Sequence, residues 1–137
     1  MVSPYSNYLS DYYSTSKEKF VVTLLNRDLL KPNLEAVGNV RPNNSAAHHI
    51  VVGGSSKADD ARKLLKEADI DINEASNGVF LPKSSKYVID EASPHANVHT
   101  DAYYRNIYDR LEKTPINQRR YELQKIAEEL QNGIFPY

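Results

Sequence analysis

Cysteine is absent from the 137 residues of the chain. This absence excludes disulfide bonds and thiolate-held zinc or iron–sulfur sites, so histidine and carboxylate side chains remain as metal ligands. No apolar run approaches the roughly 20 residues that span a bilayer, and the start of the chain lacks the basic and then apolar order of a secretion signal. We therefore expect a soluble chain with no membrane span.

The chain also lacks an excess of positive charge. Its 17 basic and 18 acidic residues nearly cancel, so a polyanion such as nucleic acid would have to be held by a local patch. The length fits one domain with a modest core. Residues 1–16, rich in Ser and Tyr, are predicted to be an N-terminal arm or linker, and residues 17–137 to be the folded domain.

Turn and capping signals predict short elements in the first part of this domain. Residues 17–31 have apolar side chains near helical spacing and predict a helix that Pro32 ends. The run AAHHIVV predicts a strand stopped by Gly53-Gly54, and SSKADDARKLLKEADI predicts a serine-capped helix. The run NGVFLP, residues 77–82, predicts a second strand.

Two helices are predicted in the last part of the domain. Residues 93–113 show a long helical pattern with Pro94 in a first-turn position, and its apolar stripe is predicted to contain Tyr104, Ile107, Tyr108 and Leu111. A final helix restarts at Thr114-Pro115 and ends at Gly133.

All four histidines fall into two groups, the adjacent pair His48 and His49 and the pair His95 and His99. On a helix of about 3.6 residues per turn, the i, i+4 spacing places His95 and His99 on one face, where both can bind one metal ion. Either pair alone is more often structural, but the joint pattern favours a shared site. Asn77 opens the second predicted strand, and its amide could tie the loop between the strands and hold a catalytic ring.

Three segments together, AAHHIVVGG, ARKLLKEADIDINEASNGVFLP and HANVHTDAYYRNIYDRL, resemble the AHH nucleases. These enzymes are a branch of the HNH or His-Me finger superfamily, found as toxin domains at the C-termini of bacterial polymorphic toxins. The resemblance covers about residues 46–111, and the order of its motifs is similar to that in DNase colicins. It departs at Val52-Gly53-Gly54, where many relatives have a proline soon after the His-His-Ile-Val run.

The resemblance implies an α+β fold whose ββα-metal core has two antiparallel strands and a helix, with additional flanking helices. It implies that His48 is the first metal ligand and that His95 and His99 complete the ligand set. His49 matches the general base, and Asn77 matches the loop-holding asparagine. A neutral imidazole with a pKa near about 6.5 can take a proton from water, and a divalent ion can stabilise the leaving oxygen.

Three imidazoles with no matched carboxylate favour zinc or nickel over magnesium by affinity. Which divalent ion supports turnover, among Zn, Ni, Mg and Mn, stays open. Lys83, Lys86 and Arg105 are candidates for holding substrate phosphates.

We therefore expect a metal-dependent endonuclease that cleaves DNA, with RNA left open, and acts as an antibacterial toxin. The resemblance implies secretion or delivery from a producing bacterium, action in the cytoplasm of the target cell, and a cognate immunity protein. Tyr103, Tyr104 and Tyr108 are candidate anchors for that partner if they are exposed.

Two alternatives remain open at the level of sequence. In the first, all four histidines close a tetrahedral site in a noncatalytic zinc-stabilised module that binds nucleic acid or protein. In the second, the final helix, INQRRYELQKIAEELQ, makes the chain a DNA-binding adaptor, although the mild acidity of the chain gives this reading poor support.

Overall fold

A computed structural model describes residues 29–88 and 90–137. The predicted arm, residues 1–16, and most of the predicted first helix, residues 17–31, lie outside the described residues. The described part has an α+β fold, as predicted, with two strands, four α-helices and several short 3-10 turns. In chain order its elements are α1 (Leu30–Ala36), β1 (Ser45–His49), α2 (Asp59–Glu67), β2 (Gly78–Pro82), α3 (Asp101–Lys113) and α4 (Arg119–Gln131).

The two strands pair antiparallel, as predicted. The register places His48 opposite Val79 and His49 opposite Gly78. β1 ends at His49, so the strict alternation of side chains between the two faces of a sheet stops at this residue. Both histidines can therefore border one cleft although they are neighbours in a strand.

The sheet separates two apolar clusters. Val79 and Leu81 belong to the main core, whereas Phe80 packs with Leu30 and Leu34 of α1. This division follows from the strand period of two, which sends successive side chains of β2 to opposite faces. Val79, Phe80 and Leu81 are at most 6% exposed, so β2 lies at the centre of the domain.

α1 lies directly against the start of β2. A Cβ atom on Gly78 would be 2.5 Å from Leu30 Cδ1 and 3.2 Å from Leu34 Cδ1, so glycine permits the close approach. The prediction that Pro32 ends the first helix is wrong. Pro32 lies in the first turn of α1, where the backbone nitrogens have no partner within the helix and proline costs no hydrogen bond.

The signals predicted for the second helix are confirmed. The Ser55 side chain accepts a hydrogen bond from the Lys57 nitrogen at 3.2 Å and caps the 3-10 turn that leads into α2. Asp59 and Asp60 occupy the first turn of α2, where carboxylates interact favourably with the helix dipole. The buried side of this helix carries Ala61, Leu64 and Leu65.

α3 begins at Asp101, so the prediction that the helix extends back to residue 93 is wrong. Pro94 has extended backbone angles and precedes a separate 3-10 turn (His95–Asn97). The helix starts where Thr100 provides a cap, because its side chain accepts a hydrogen bond from the Tyr103 nitrogen at 3.1 Å.

The buried stripe of α3 differs from the prediction in its tyrosines. Ile107 and Leu111 are buried as expected, but the third member is Tyr103, which is 0% exposed. Tyr104 is half-buried, and Tyr108 is exposed. Tyr103 is therefore not available as a surface anchor for a partner.

α4 closes the main core with Leu123, Ile126 and Leu130. The predicted stop at Gly133 is confirmed: this residue follows the helix with φ of 70°, a conformation that favours glycine. None of the helices within residues 29–88 and 90–137 has the length and apolar character needed to cross a membrane.

Candidate metal and catalytic site

His48, His95 and His99 converge at the end of β1. Their candidate ligand nitrogens all lie within 4.8 Å of one another. The ring centroids form a nearly equilateral triangle, with separations of 5.1 Å for His48–His95, 5.3 Å for His48–His99 and 5.2 Å for His95–His99. His48 is buried, His95 is half-buried and His99 is exposed, so the cluster has an inner wall and a side open to solvent.

Hydrogen bonds fix the protonation pattern of His48. Tyr103 Oη donates to the Ile50 carbonyl at 2.7 Å and lies 2.7 Å from His48 Nε2. The hydroxyl has one proton and a carbonyl can only accept, so His48 Nε2–H is the donor to Tyr103. The lone pair of His48 is consequently on Nδ1, which lies 3.0 Å from His95 Nδ1. Tyr103 thus directs a basic nitrogen into the cluster.

The pKa values of the three rings are lowered. Burial is the largest cause for His48, whose pKa lies well below the ordinary value of 6.5, and the neighbouring His95 and His99 lower it further. Burial also lowers the pKa of His95 and that of His99. All three rings therefore favour the neutral form, which is the form that binds metal ions.

The contact between His95 and His99 does not come from a helix, so the predicted helical placement of this pair is wrong. His95 lies in the 3-10 turn, and His99 precedes Thr100, the cap of α3. The turn is attached to the end of β2, because the Ala96 nitrogen donates to the Lys83 carbonyl at 3.2 Å. This attachment brings both rings to His48.

His49 lies next to the cluster but outside the ligand set formed by the other three histidines. Its Nε2 atom is 2.7 Å from Oδ1 of Asn73, a residue that is 0% exposed. His49 is half-buried and borders the same cleft as His48, His95 and His99. Within the described residues, the four histidines therefore do not form the single tetrahedral site that the zinc-module alternative requires.

Asn77 ties the chain after His49 to the turn before β2. Its Oδ1 accepts from the Val51 nitrogen at 2.9 Å, and its Nδ2 donates to the Val51 carbonyl at 3.0 Å and to the Ile72 carbonyl at 2.9 Å. The Ile50 nitrogen also donates to the Asn77 carbonyl at 2.8 Å. The buried amide thus lies where sequence reasoning expected an asparagine that holds the loop.

Comparison with known families accounts for this arrangement. Residues 29–134 match a nuclease family of the HNH/ENDO VII superfamily with conserved AHH. The chain belongs to the AHH nuclease family. No curated protein and no solved structure gives a significant match.

The histidine cluster of this AHH nuclease fits one metal ion. Two nitrogens bound to a tetrahedral ion at about 2.0–2.1 Å are about 3.3 Å apart. That value lies between two distances in the cluster. The Nδ1 atoms of His48 and His95 are 3.0 Å apart, and the ligand nitrogens of the whole set lie within 4.8 Å of one another. Neutral imidazoles suit zinc, nickel and related ions. His48, His95 and His99 could therefore hold one divalent cation.

The cleft of the AHH nuclease has a volume of about 510 Å³. Arg62 is the one lysine or arginine that lines it within the described part of the chain, and its Nη1 donates to the Val52 carbonyl at 2.8 Å. Arg62 also pairs with Asp59. This residue was not singled out from the sequence, because its place beside the histidines depends on how α2 packs.

Lys83, Lys86 and Arg105, which were predicted to contact phosphate, do not line this cleft. The Lys83 side chain is exposed, but its backbone bonds to the turn that contains His95. The Lys86 ammonium lies 5.5 Å from the centroid of the Tyr87 ring. Arg105 borders a separate hollow that residues of both α2 and α3 line. Of the three, Lys83 is attached to the histidine cluster through the backbone.

Asn73 and the hydrogen bonding of Tyr103 were also missed by sequence reasoning. Tyr103 follows His99 by four positions, and Asn73 precedes Asn77 by four, but such spacings do not distinguish a site residue from a surface residue. Each acts through a hydrogen bond to a histidine that is distant in the sequence. Only the fold creates these pairs.

Proposed function

We propose that this AHH nuclease is a metal-dependent endonuclease that hydrolyses phosphodiester bonds, with DNA as its main substrate and RNA as the second polymer to test. One observation carries the proposal. Three histidines bring their ligand nitrogens within 4.8 Å of one another, and a fourth borders the same cleft outside that set. One bound cation and one separate base are the two groups that this hydrolysis needs.

The chemistry assigns a separate task to each residue. His49 takes the proton of the attacking water, while His48, His95 and His99 would hold the cation. When bound, a divalent ion supplies positive charge that stabilises the leaving oxygen and the phosphate. The Arg62 guanidinium lies in the same cleft, where it can neutralise part of the phosphate charge. None of these groups selects a base, so cleavage is independent of sequence.

Two histidine variants should separate the effect on cleavage from the effect on metal binding. His49→Ala should lower the rate about 10²–10⁴-fold through the loss of proton transfer, with zinc affinity nearly unchanged. His99→Ala should weaken both, because it removes a ligand. Plasmid DNA and RNA cleavage with several divalent ions, together with calorimetric zinc titration, measures the two effects. Tyr121→Ala, at a side chain that is 61% exposed, is the matched surface control.

Equal losses of zinc affinity in His49→Ala and His99→Ala would refute the division of roles. No cleavage of either polymer by the unmodified chain with any of the ions would refute the nuclease proposal for this chain. In that case a binding module would be the better description.

We also propose that the nuclease acts as an antibacterial toxin, delivered from its producer into the cytoplasm of a target cell. A nuclease that does not read sequence would damage the producer as well, so a cognate immunity protein is the expected partner. An acidic surface on that protein would complement Arg62 and Lys83 and speed its capture of the toxin. The same variants test this role: expression of the unmodified chain alone in a bacterium should be lethal, and His49→Ala should be tolerated.

A further inference from the structure

Asn73 has the features of a residue that orients another. It is 0% exposed, and its Oδ1 is 2.7 Å from His49 Nε2. Its backbone nitrogen donates to Asp71 Oδ1 at 2.8 Å, and its carbonyl accepts from Asn33 Nδ2 at 2.7 Å. Hydrogen bonds therefore hold both backbone groups of Asn73, and they fix the position of its side-chain oxygen in the cleft wall.

The turn that carries Asn73 is fastened to the C-terminal helix. The next residue, Glu74, is also 0% exposed, and its Oε1 accepts from Arg120 Nε at 2.8 Å. Arg120 Nη2 donates to the Asp69 carbonyl at 2.8 Å. Because α4 holds the turn on both sides of Asn73, movement of the amide would require these contacts to break.

We propose that Asn73 is a positioning residue that accepts the Nε2 proton of His49 and thereby fixes the ring with its lone pair on Nδ1. An amide oxygen only accepts, so Nε2 carries the proton and Nδ1 is the nitrogen that can take one from water. The inference rests on the proposed function, because it presupposes that His49 is the base.

A second observation shows what this orientation costs. Asn73 Nδ2 is buried and has no hydrogen-bond partner within residues 29–88 and 90–137. A buried donor without a partner is unfavourable. An aspartate at this position would keep the acceptor oxygen and remove that donor, whereas a leucine would fill similar space without an acceptor. The two substitutions therefore separate hydrogen bonding from packing.

The hydrogen bond can be observed directly in the unmodified chain. We expect the zinc-loaded protein to show a slowly exchanging imidazole proton in its NMR spectrum. A correlation to nitrogen should assign this proton to Nε2 of His49, and the signal should be missing in His49→Ala. The signal should vanish in Asn73→Leu and persist in Asn73→Asp. A proton on Nδ1, or an Nε2 signal that survives in Asn73→Leu, would overturn the proposal.

Kinetics separate positioning from general stability. Asn73→Leu should lower kcat about 10- to 100-fold, the usual effect of losing a partner that orients a site residue, with KM and zinc affinity nearly unchanged. Asn73→Asp should recover most of that loss. Asn106→Leu, which removes an asparagine of α3 whose amide bonds to the Pro136 carbonyl, is the matched control.

Zinc affinity that falls as much as kcat in Asn73→Leu would indicate a structural role and refute positioning. If the unmodified chain cleaves no nucleic acid, the proposed function fails, and the NMR result still decides whether Asn73 fixes the His49 ring. The two failures are therefore distinguishable.

Discussion

His48 and His49 are adjacent in the chain and yet have different hydrogen-bond partners. His48 is buried and donates to Tyr103, whereas His49 is half-buried and contacts Asn73. The two imidazoles can lie side by side because each has a polar partner from another part of the chain, which offsets the cost of burying its ring nitrogens. The end of β1 at His49 allows the two rings to border one cleft.

Tyr103→Phe should weaken zinc binding while leaving the aromatic packing in place. The phenol oxygen orients His48, and loss of such a partner typically lowers metal affinity about 10- to 100-fold. The Ile50 carbonyl also loses its donor, which should destabilise the fold by about 1–3 kcal/mol. Calorimetric zinc titration and thermal unfolding measure the two effects. The control Tyr108→Phe, at an exposed position of α3, should change neither zinc affinity nor stability. If Tyr103→Phe binds zinc as tightly as the unmodified chain, Tyr103 does not orient His48.

At the scale of elements, strong local signals predicted the structure well. The serine cap before α2, the Asn-Gly turn before β2 and the glycine after α4 act through the backbone of a few neighbouring residues, so they can be read from the sequence. The start of α3 could not, because Pro94 and Thr100 both provide acceptable helix starts. In the structure the helix starts after Thr100, and the turn that contains His95 bonds to Lys83 instead. This tertiary contact is not visible in the sequence.

The sequence selected the histidines that the fold brings together, but not the contacts that bring them together. The four histidines could be selected because they are few and grouped, and Asn77 because it opens the second strand between the two groups. The reason given for joining His95 and His99, a shared helix face, was wrong, although the two rings do meet. Asn73 and Arg62 could not be selected, because their relation to the histidines depends on the packing of a turn and of α2.

Gly133→Ala should destabilise the junction after α4. Gly133 has φ of 70°, which costs another residue about 1–2 kcal/mol. A Cβ atom there would lie 1.8 Å from the Glu91 carbonyl oxygen, so the backbone would also have to shift. Urea unfolding should show a lower midpoint for this variant. Gly54→Ala, where a Cβ atom meets nothing within 4 Å, is the control, and equal midpoints for the two variants would contradict the expectation.

The whole molecule should lose stability in mild acid when it is free of metal. The pKa values of His48, His95 and His99 are lowered in the fold, chiefly by burial. The unfolded chain therefore binds more protons as the pH falls below the ordinary value of 6.5. The stability is fully present above that pH and is lost progressively toward the folded-state pKa values.

Urea unfolding with a chelator between about pH 8 and pH 5 measures this dependence. The midpoint should fall as the pH decreases, and the fall should be smaller in His99→Asn, which has one fewer titrating ring in the cluster. A midpoint that stays constant or rises with acidification would contradict the expectation.

The histidine cluster joins positions that are 47 residues apart in the chain, and the sequence has no cysteine to make such a link covalently. A cation bound to both positions would act as a reversible cross-link. By mass action, a ligand at 100 times its dissociation constant stabilises the folded state by about 2.7 kcal/mol. The fold would then respond to the availability of free metal and to acidity, and it would be indifferent to reductants that open the cross-links of disulfide-bonded proteins.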